Sequence, residues 1–189
     1  MEKFKNKYRI ASNRKPNWDY SKKGIYFITI CTKNRKHFFG EIENAEMIFS
    51  KIGKIAHDEW LKTLEIRKDM NLQFGEFVVM PNHFHGIIII GDNEFNCNST
   101  GAMHRVSKEE EMQSINSFAP QSKNIASNIR GFKSAVTIQA RKMGDLDFNW
   151  QSRFHDHIVR NFESFDRIQK YIQNNPKKWE EDCFSSKNK

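Results

Sequence analysis

Three short stretches of the 189-residue sequence could do chemistry: Met80-Pro81-Asn82-His83-Phe84-His85-Gly86, His155-Asp156-His157 and Tyr171-Ile172-Gln173-Asn174-Asn175-Pro176. The first leads into four isoleucines and reads as the opening of a strand. Side chains at i and i+2 then share a face, so His83 and His85 project together while Phe84 enters the other side. Two polar rings at the head of an apolar strand are costly unless they find partners or open onto a cleft, and a divalent cation is an economical partner for imidazoles. Tyr171 and Asn175 stand four residues apart, on one face of a helix, so a phenol and an amide can meet one site. A phenol with a pKa of ~10 is a poor nucleophile at neutral pH. A metal that polarises a phosphodiester opens covalent phosphotyrosine chemistry to it. The pair His155 and His157, flanked by Arg153 and Arg160, fits metal ligation, donation to phosphate or packing beside a cleft, and spacing does not separate these readings.

These groups need a scaffold. Gly24 to Cys31 is rich in β-branched and aromatic residues and reads as a buried strand. Ala45 to about Lys68 carries Ile48, Ile52, Ile55, Ala56, Trp60 and Leu64 at helical spacing. Phe74 to Met80 and His83 to Ile90, separated by Pro81-Asn82, predict an antiparallel hairpin. Asp92 to about Ser122 is polar and aperiodic and reads as an insertion or loop. Asn124 to Met143 predicts a helix with Ile125, Ile129, Phe132, Val136 and Ala140 inward and Arg130, Lys133 and Arg141 among its polar residues. Phe154 to Val159 reads as a short final strand, and Glu163 to Asn175 as a last helix stopped at Pro176. The order β, α, β, β, α, β, α implies an α+β fold with an antiparallel sheet and helices packed mainly on one face.

Charge points to an anionic partner. Lys and Arg total 31 against 23 Asp and Glu, a formal net charge of +8, and the first forty residues hold eleven cations against Glu2 and Asp19. Arg14, Lys15, Lys33, Arg35 and Lys36 belong to that stretch, interleaved with Tyr8, Trp18 and Tyr20, whose rings can stack on bases. The reading is therefore a basic arm over 1–23, one domain over 24–179 interrupted at about 92–122, and a tail over 180–189. Apolar content of 38% supports a core and excludes global disorder. The longest apolar run, Ile87 to Ile90, is far short of a membrane span, and the N-terminus lacks an apolar leader. Three dispersed cysteines without CxxC spacing indicate neither a disulfide framework nor structural zinc. A cytoplasmic protein is expected.

MPNHFHG entering an aliphatic strand, the downstream WQSRFHDH at 150–157 and YIQNNPKKW at 171–179 together resemble the IS200-like transposases. The resemblance is greatest to the REP-associated tyrosine transposase branch of the HUH single-strand nuclease superfamily. It implies a ferredoxin-like (RRM-like) core plus a C-terminal helix that carries the nucleophile. His83 and His85 are implied to bind Mg²⁺ or Mn²⁺, with Asn175 as third ligand, and Tyr171 to attack the scissile phosphate. The implied activity is cleavage and rejoining of single-stranded, hairpin-bearing DNA through a 5′-phosphotyrosine. No ATP is needed, because the covalent link keeps the phosphodiester energy. Arg14, Lys15, Lys33, Arg35, Lys36, Arg130, Lys133, Arg141 and Arg153 are the candidate DNA contacts, with His155 and His157 as supports of the active site. Relatives act as monomers or as homodimers that exchange the tyrosine helix. Two other classes fit parts of the sequence: a non-catalytic hairpin-binding or regulatory protein of the same fold, and a metal-dependent hydrolase of small phosphoesters.

Overall fold

The computed structural model describes residues 18–94, 96 and 123–185. Arg14 and Lys15, most of the basic arm and most of the 92–122 insertion lie outside these residues. Strand β1 (Gly24–Cys31) is followed by a short hairpin, β2 (Gly40–Glu43) and β3 (Glu46–Phe49), and by helix α1 (Lys51–Ile66). Then come β4 (Leu72–Met80), β5 (His83–Ile90), α2 (Ile125–Lys142), β6 (His155–Val159) and α3 (Phe162–Asn174), which runs into a 3₁₀ turn at Pro176–Glu181. The main sheet has the order β4-β5-β1-β6, with every neighbouring pair antiparallel. Leaving aside the β2–β3 hairpin, this is the α+β, ferredoxin-like arrangement: two interleaved split βαβ units, followed by an additional helix.

Alternation along the strands separates two faces. Tyr26, Ile28 and Ile30 of β1 and Phe84, Ile88 and Ile90 of β5 join the main core with residues of α1 and α2. Ile25, Phe27, Ile87 and Ile89 face the other way and pack with Val159 of β6 and with Phe165, Ile168 and Ile172 of α3. His83 and His85 are odd-numbered like Ile87, so the pleat turns them to the α3 face. Asn124 starts α2 with a capping box to Ser127, and Asn161 caps α3 by accepting from the Ser164 N–H. The chain leaves β5 after Ile90 and returns at the head of α2, where the Ile125 N–H donates to the Tyr20 carbonyl.

The helix expected from Ala45 begins six residues later. Asn44 and Ala45 both have positive φ, 50° and 63°, the twist that joins β2 to β3 tightly. Ser50 then caps α1, its side chain accepting from the Gly53 N–H at 3.0 Å. Ile48 belongs to the hairpin and is 46% exposed. Its place in the apolar stripe was a coincidence of spacing.

Gly86 closes the histidine motif for a packing reason. A Cβ there would stand 2.8 Å from Phe84 Cε1 and 3.0 Å from Trp60 Cζ2. Trp60 is fully buried and its ring centroid lies 4.4 Å from that of Phe74 and 4.5 Å from that of Phe84. Gly86→Val is expected to destabilise the fold by about 1–3 kcal/mol through overpacking. A denaturant midpoint equal to that of the parent protein would contradict this.

Candidate metal and nucleic-acid site

The turn Pro81-Asn82 delivers His83 as the first residue of β5, paired with Met80 on one side and Cys31 on the other. Asn82 also fixes the ring. Its Nδ2 donates to the carbonyls of Arg35 (3.2 Å) and Phe184 (2.9 Å), so its Oδ1 is the atom left facing His83 Nδ1 at 2.9 Å. An oxygen there accepts only, so Nδ1 carries the hydrogen and the lone pair sits on Nε2. His83 Nε2 is buried and has no hydrogen-bond partner among the described residues. On His85, Nδ1 meets the Thr29 hydroxyl at 2.8 Å and Nε2 meets the Tyr171 hydroxyl at 3.2 Å. The two imidazoles are 4.5 Å apart between centroids, at 69°.

Helix α3 brings Tyr171 to this spot. Ile168 and Ile172 anchor the helix on the sheet, and Tyr171, one position before Ile172, comes over the edge of that contact at 44% exposure. Its ring lies edge-on to Phe27 at 6.2 Å, and Phe27 in turn stacks on His85 at 5.2 Å. Asn175 caps the helix and is buried. Its Nδ2 donates to Asp182 Oδ2 at 3.1 Å, and its Oδ1 is buried without a partner among the described residues. Ligand atoms of His83, His85 and Asp182 all lie within 4.8 Å of one another. Atoms bound to one cation at about 2.1–2.3 Å cannot be more than about 4.6 Å apart, so this spread is close to what one ion needs. The unpartnered His83 Nε2 and Asn175 Oδ1, beside His85 and Asp182, make a mixed nitrogen and oxygen donor set that fits a divalent cation.

The electrostatics favour neutral imidazoles and a protonated phenol. Burial pushes His83 well below its ordinary pKa, helped by His85 and Arg35. Burial also lowers His85 to about 4, against the opposing charge of Asp182. Both rings are then unprotonated ligands at neutral pH. Tyr171 is pushed up to about 12 by burial and by the Asp182 carboxylate, with Asn175 opposing. The linkage has a definite sign. Between the ordinary 6.5 and the folded value of about 4, the unfolded chain binds a proton that folded His85 refuses. Stability is therefore expected to fall as pH drops through that window, by the order of 3 kcal/mol from His85. Above the window this group contributes no slope. Denaturant midpoints measured from neutral pH downward check this, and a flat profile would contradict it.

Other residues singled out in the sequence are placed as follows. His155 and His157 are exposed on edge strand β6. Thr29 pairs with both His85 and His155, so the second pair shares the face of the first but stands two strands, roughly 10 Å, away. Arg35 lies at the site, donating to the Cys183 carbonyl at 2.9 Å and covering the Phe184 ring at 4.8 Å. Lys33, Lys36 and Arg153 are exposed. Arg130, Lys133 and Arg141 sit on α2, across the sheet from the histidines. Lys133 is half-buried, donates to the Gln151 carbonyl and lies over Trp150. Burial lowers its pKa to about 8.

Asp182 and Phe184 escaped the sequence reading, which set 180–189 aside as a tail. Phe184 lies 4.4 Å from the His83 ring. A cavity of about 520 Å³ opens next to Tyr171, lined also by Arg167, Lys170 and Lys178. Positions 167, 170, 171, 174, 175 and 178 share one helical stripe, a spacing that could have revealed the three cations.

In solved structures the same fold occurs in a REP-associated tyrosine transposase bound to a REP hairpin. The likeness has a TM-score of 0.55 at 18% identity and covers 88% of this chain and 74% of that one. The fold is thus IS200-like. No family model matches the sequence. An uncharacterized protein of Haemophilus influenzae is 36% identical over 172 residues, covering 90% of each chain. The two proteins belong to one family. Among the described residues of this IS200-like chain, no helix is long and apolar enough to cross a membrane.

Proposed function

We propose that this protein cleaves and rejoins single-stranded, hairpin-bearing DNA through a 5′-phosphotyrosine on Tyr171. His83, His85 and Asn175 would hold a divalent cation, Mg²⁺ or Mn²⁺. The observation that carries the reading is the 3.2 Å separation of Tyr171 Oη from His85 Nε2 within one chain. Tyr171 attacks the scissile phosphorus: the Oη–P bond forms, the bond from phosphorus to the 3′ oxygen breaks, and the proton lost by the phenol is balanced by the one the departing 3′ oxygen takes up. A free 3′-hydroxyl is released, and attack by such a hydroxyl on the phosphotyrosine rejoins strands. A bound divalent cation would polarise the phosphate and supply the positive charge that a phenol held near pKa 12 lacks. Phe27 holds the Tyr171 ring, and Asn82 keeps the lone pair of His83 on Nε2.

Arg35, Lys33, Lys36 and Arg153, with Arg167, Lys170 and Lys178 around the cavity, would take the DNA backbone. Arg130, Lys133 and Arg141 would reach only parts of the DNA that wrap to the α2 side. Tyr171 and the imidazoles meet within one chain, so the site would not need a helix from a second subunit. The test is incubation with a labelled hairpin oligonucleotide and Mn²⁺, followed by denaturing electrophoresis and peptide mapping. A covalent adduct mapped to Tyr171 is expected. Tight binding with no adduct from any hairpin substrate would make the protein a hairpin-binding or regulatory protein.

A further inference from the structure

We infer that Asp182 is a positioning residue: it sets the Asn175 amide so that the oxygen, and not the nitrogen, is left for the cation. The inference rests on the reading of the site given above.

A side-chain amide can be set in two ways that differ by half a turn. Only one presents a ligand, since the oxygen has lone pairs and the NH₂ group does not. A carboxylate accepts and never donates, so the partner it selects is the NH₂ group. Asp182 Oδ2 takes Asn175 Nδ2 at 3.1 Å, and Asn175 Oδ1 is left buried and without a hydrogen-bond partner among the described residues. The reverse setting would press an amide oxygen against a carboxylate oxygen and turn two N–H groups toward the cation. Asn175 is only 2% exposed, so there is little room for water to relieve that conflict.

Asp182 is itself held. Its Oδ1 accepts the Phe184 N–H at 2.8 Å, and the neighbouring carbonyls of Cys183 and Phe184 receive Arg35 and Asn82 at 2.9 Å each. Asn82, which fixes the ring of His83, and Asp182, which fixes the amide of Asn175, are thus tied through the same three residues, Asp182, Cys183 and Phe184. A carboxylate engaged at both oxygens and fastened in this way is suited to orienting a neighbour.

Mn²⁺ binding without DNA, followed by calorimetry or by loss of the free-ion electron paramagnetic resonance signal, provides the test. Melting temperatures report whether each variant folds. Asp182→Ala is expected to weaken Mn²⁺ binding by ~10-fold or more, the range seen when the partner that orients a ligand is removed. In an Asn175→Ala background the same substitution should cost nothing further. Asn175→Asp should restore binding to Asp182→Ala, because either carboxylate oxygen can ligate without being oriented. Equal losses from Asp182→Ala in both backgrounds would overturn the inference by making Asp182 an independent ligand. So would an unchanged affinity in Asp182→Ala. Binding by the parent protein that is absent, or indifferent to His83→Ala, would overturn the reading of the metal site and the inference with it.

Discussion

Tyr171→Phe is expected to leave a folded protein that still binds a DNA hairpin but forms no covalent adduct with it. The substitution removes one oxygen and keeps the ring that packs edge-on against Phe27. The hydrogen bond to His85 is lost, which costs about 1 kcal/mol, so the melting temperature should move little. Neither of the other two phenols among the described residues can substitute. Among the described residues, Tyr26 is buried on the α1 and α2 side of the sheet, and the Tyr20 hydroxyl is engaged by Asp156 at 2.6 Å. Adduct formation should fall below detection while hairpin affinity stays within a few-fold, because the cations proposed to hold the DNA backbone are untouched. An adduct that survives, mapped to another residue, would remove Tyr171 from the mechanism. Cleavage that survives without any adduct would point to a hydrolase.

His83→Ala should have an effect of similar size by a different route. It deletes the buried Nε2 that has no partner among the described residues, and with it one of the two imidazoles proposed to hold the cation. Divalent-ion affinity is expected to fall by at least ~100-fold, the upper end of what losing an orienting partner costs. Adduct formation should fall with it and recover in part at high Mn²⁺ concentration. The dependence on metal concentration distinguishes this defect from that of Tyr171→Phe, which no amount of metal can rescue. A cavity is also left against Phe184, so the melting temperature must be measured alongside. If His83→Ala folds and forms adduct at the parent rate and metal dependence, the imidazole pair has no part in the reaction.

The four strands of the main sheet, two of the three helix starts and the display of His83 and His85 on one face were legible because they rest on local rules: alternation, helical spacing and a proline turn. The β2–β3 hairpin was missed because Ile48 extends a helical stripe by chance, and the signal that ends it, Ser50 as cap, was read as part of the helix. Asp182 was hidden for another reason. Nothing in Glu180-Glu181-Asp182 distinguishes one carboxylate from the next, and only the fold of the chain after Pro176 carries it back to Asn175. The second histidine pair could not be ranked against the first by spacing. Strand position decides it, since β5 is central and shielded by α3, whereas β6 is an exposed edge.

The direction of β5 separates novelty from chemistry. The strand begins with the histidines and ends at Ile90, roughly 24 Å further along at the usual rise per residue, and the polar stretch from Asp92 departs from that far end. An insertion or a grafted reporter at that junction would start a full strand length from His83 and His85.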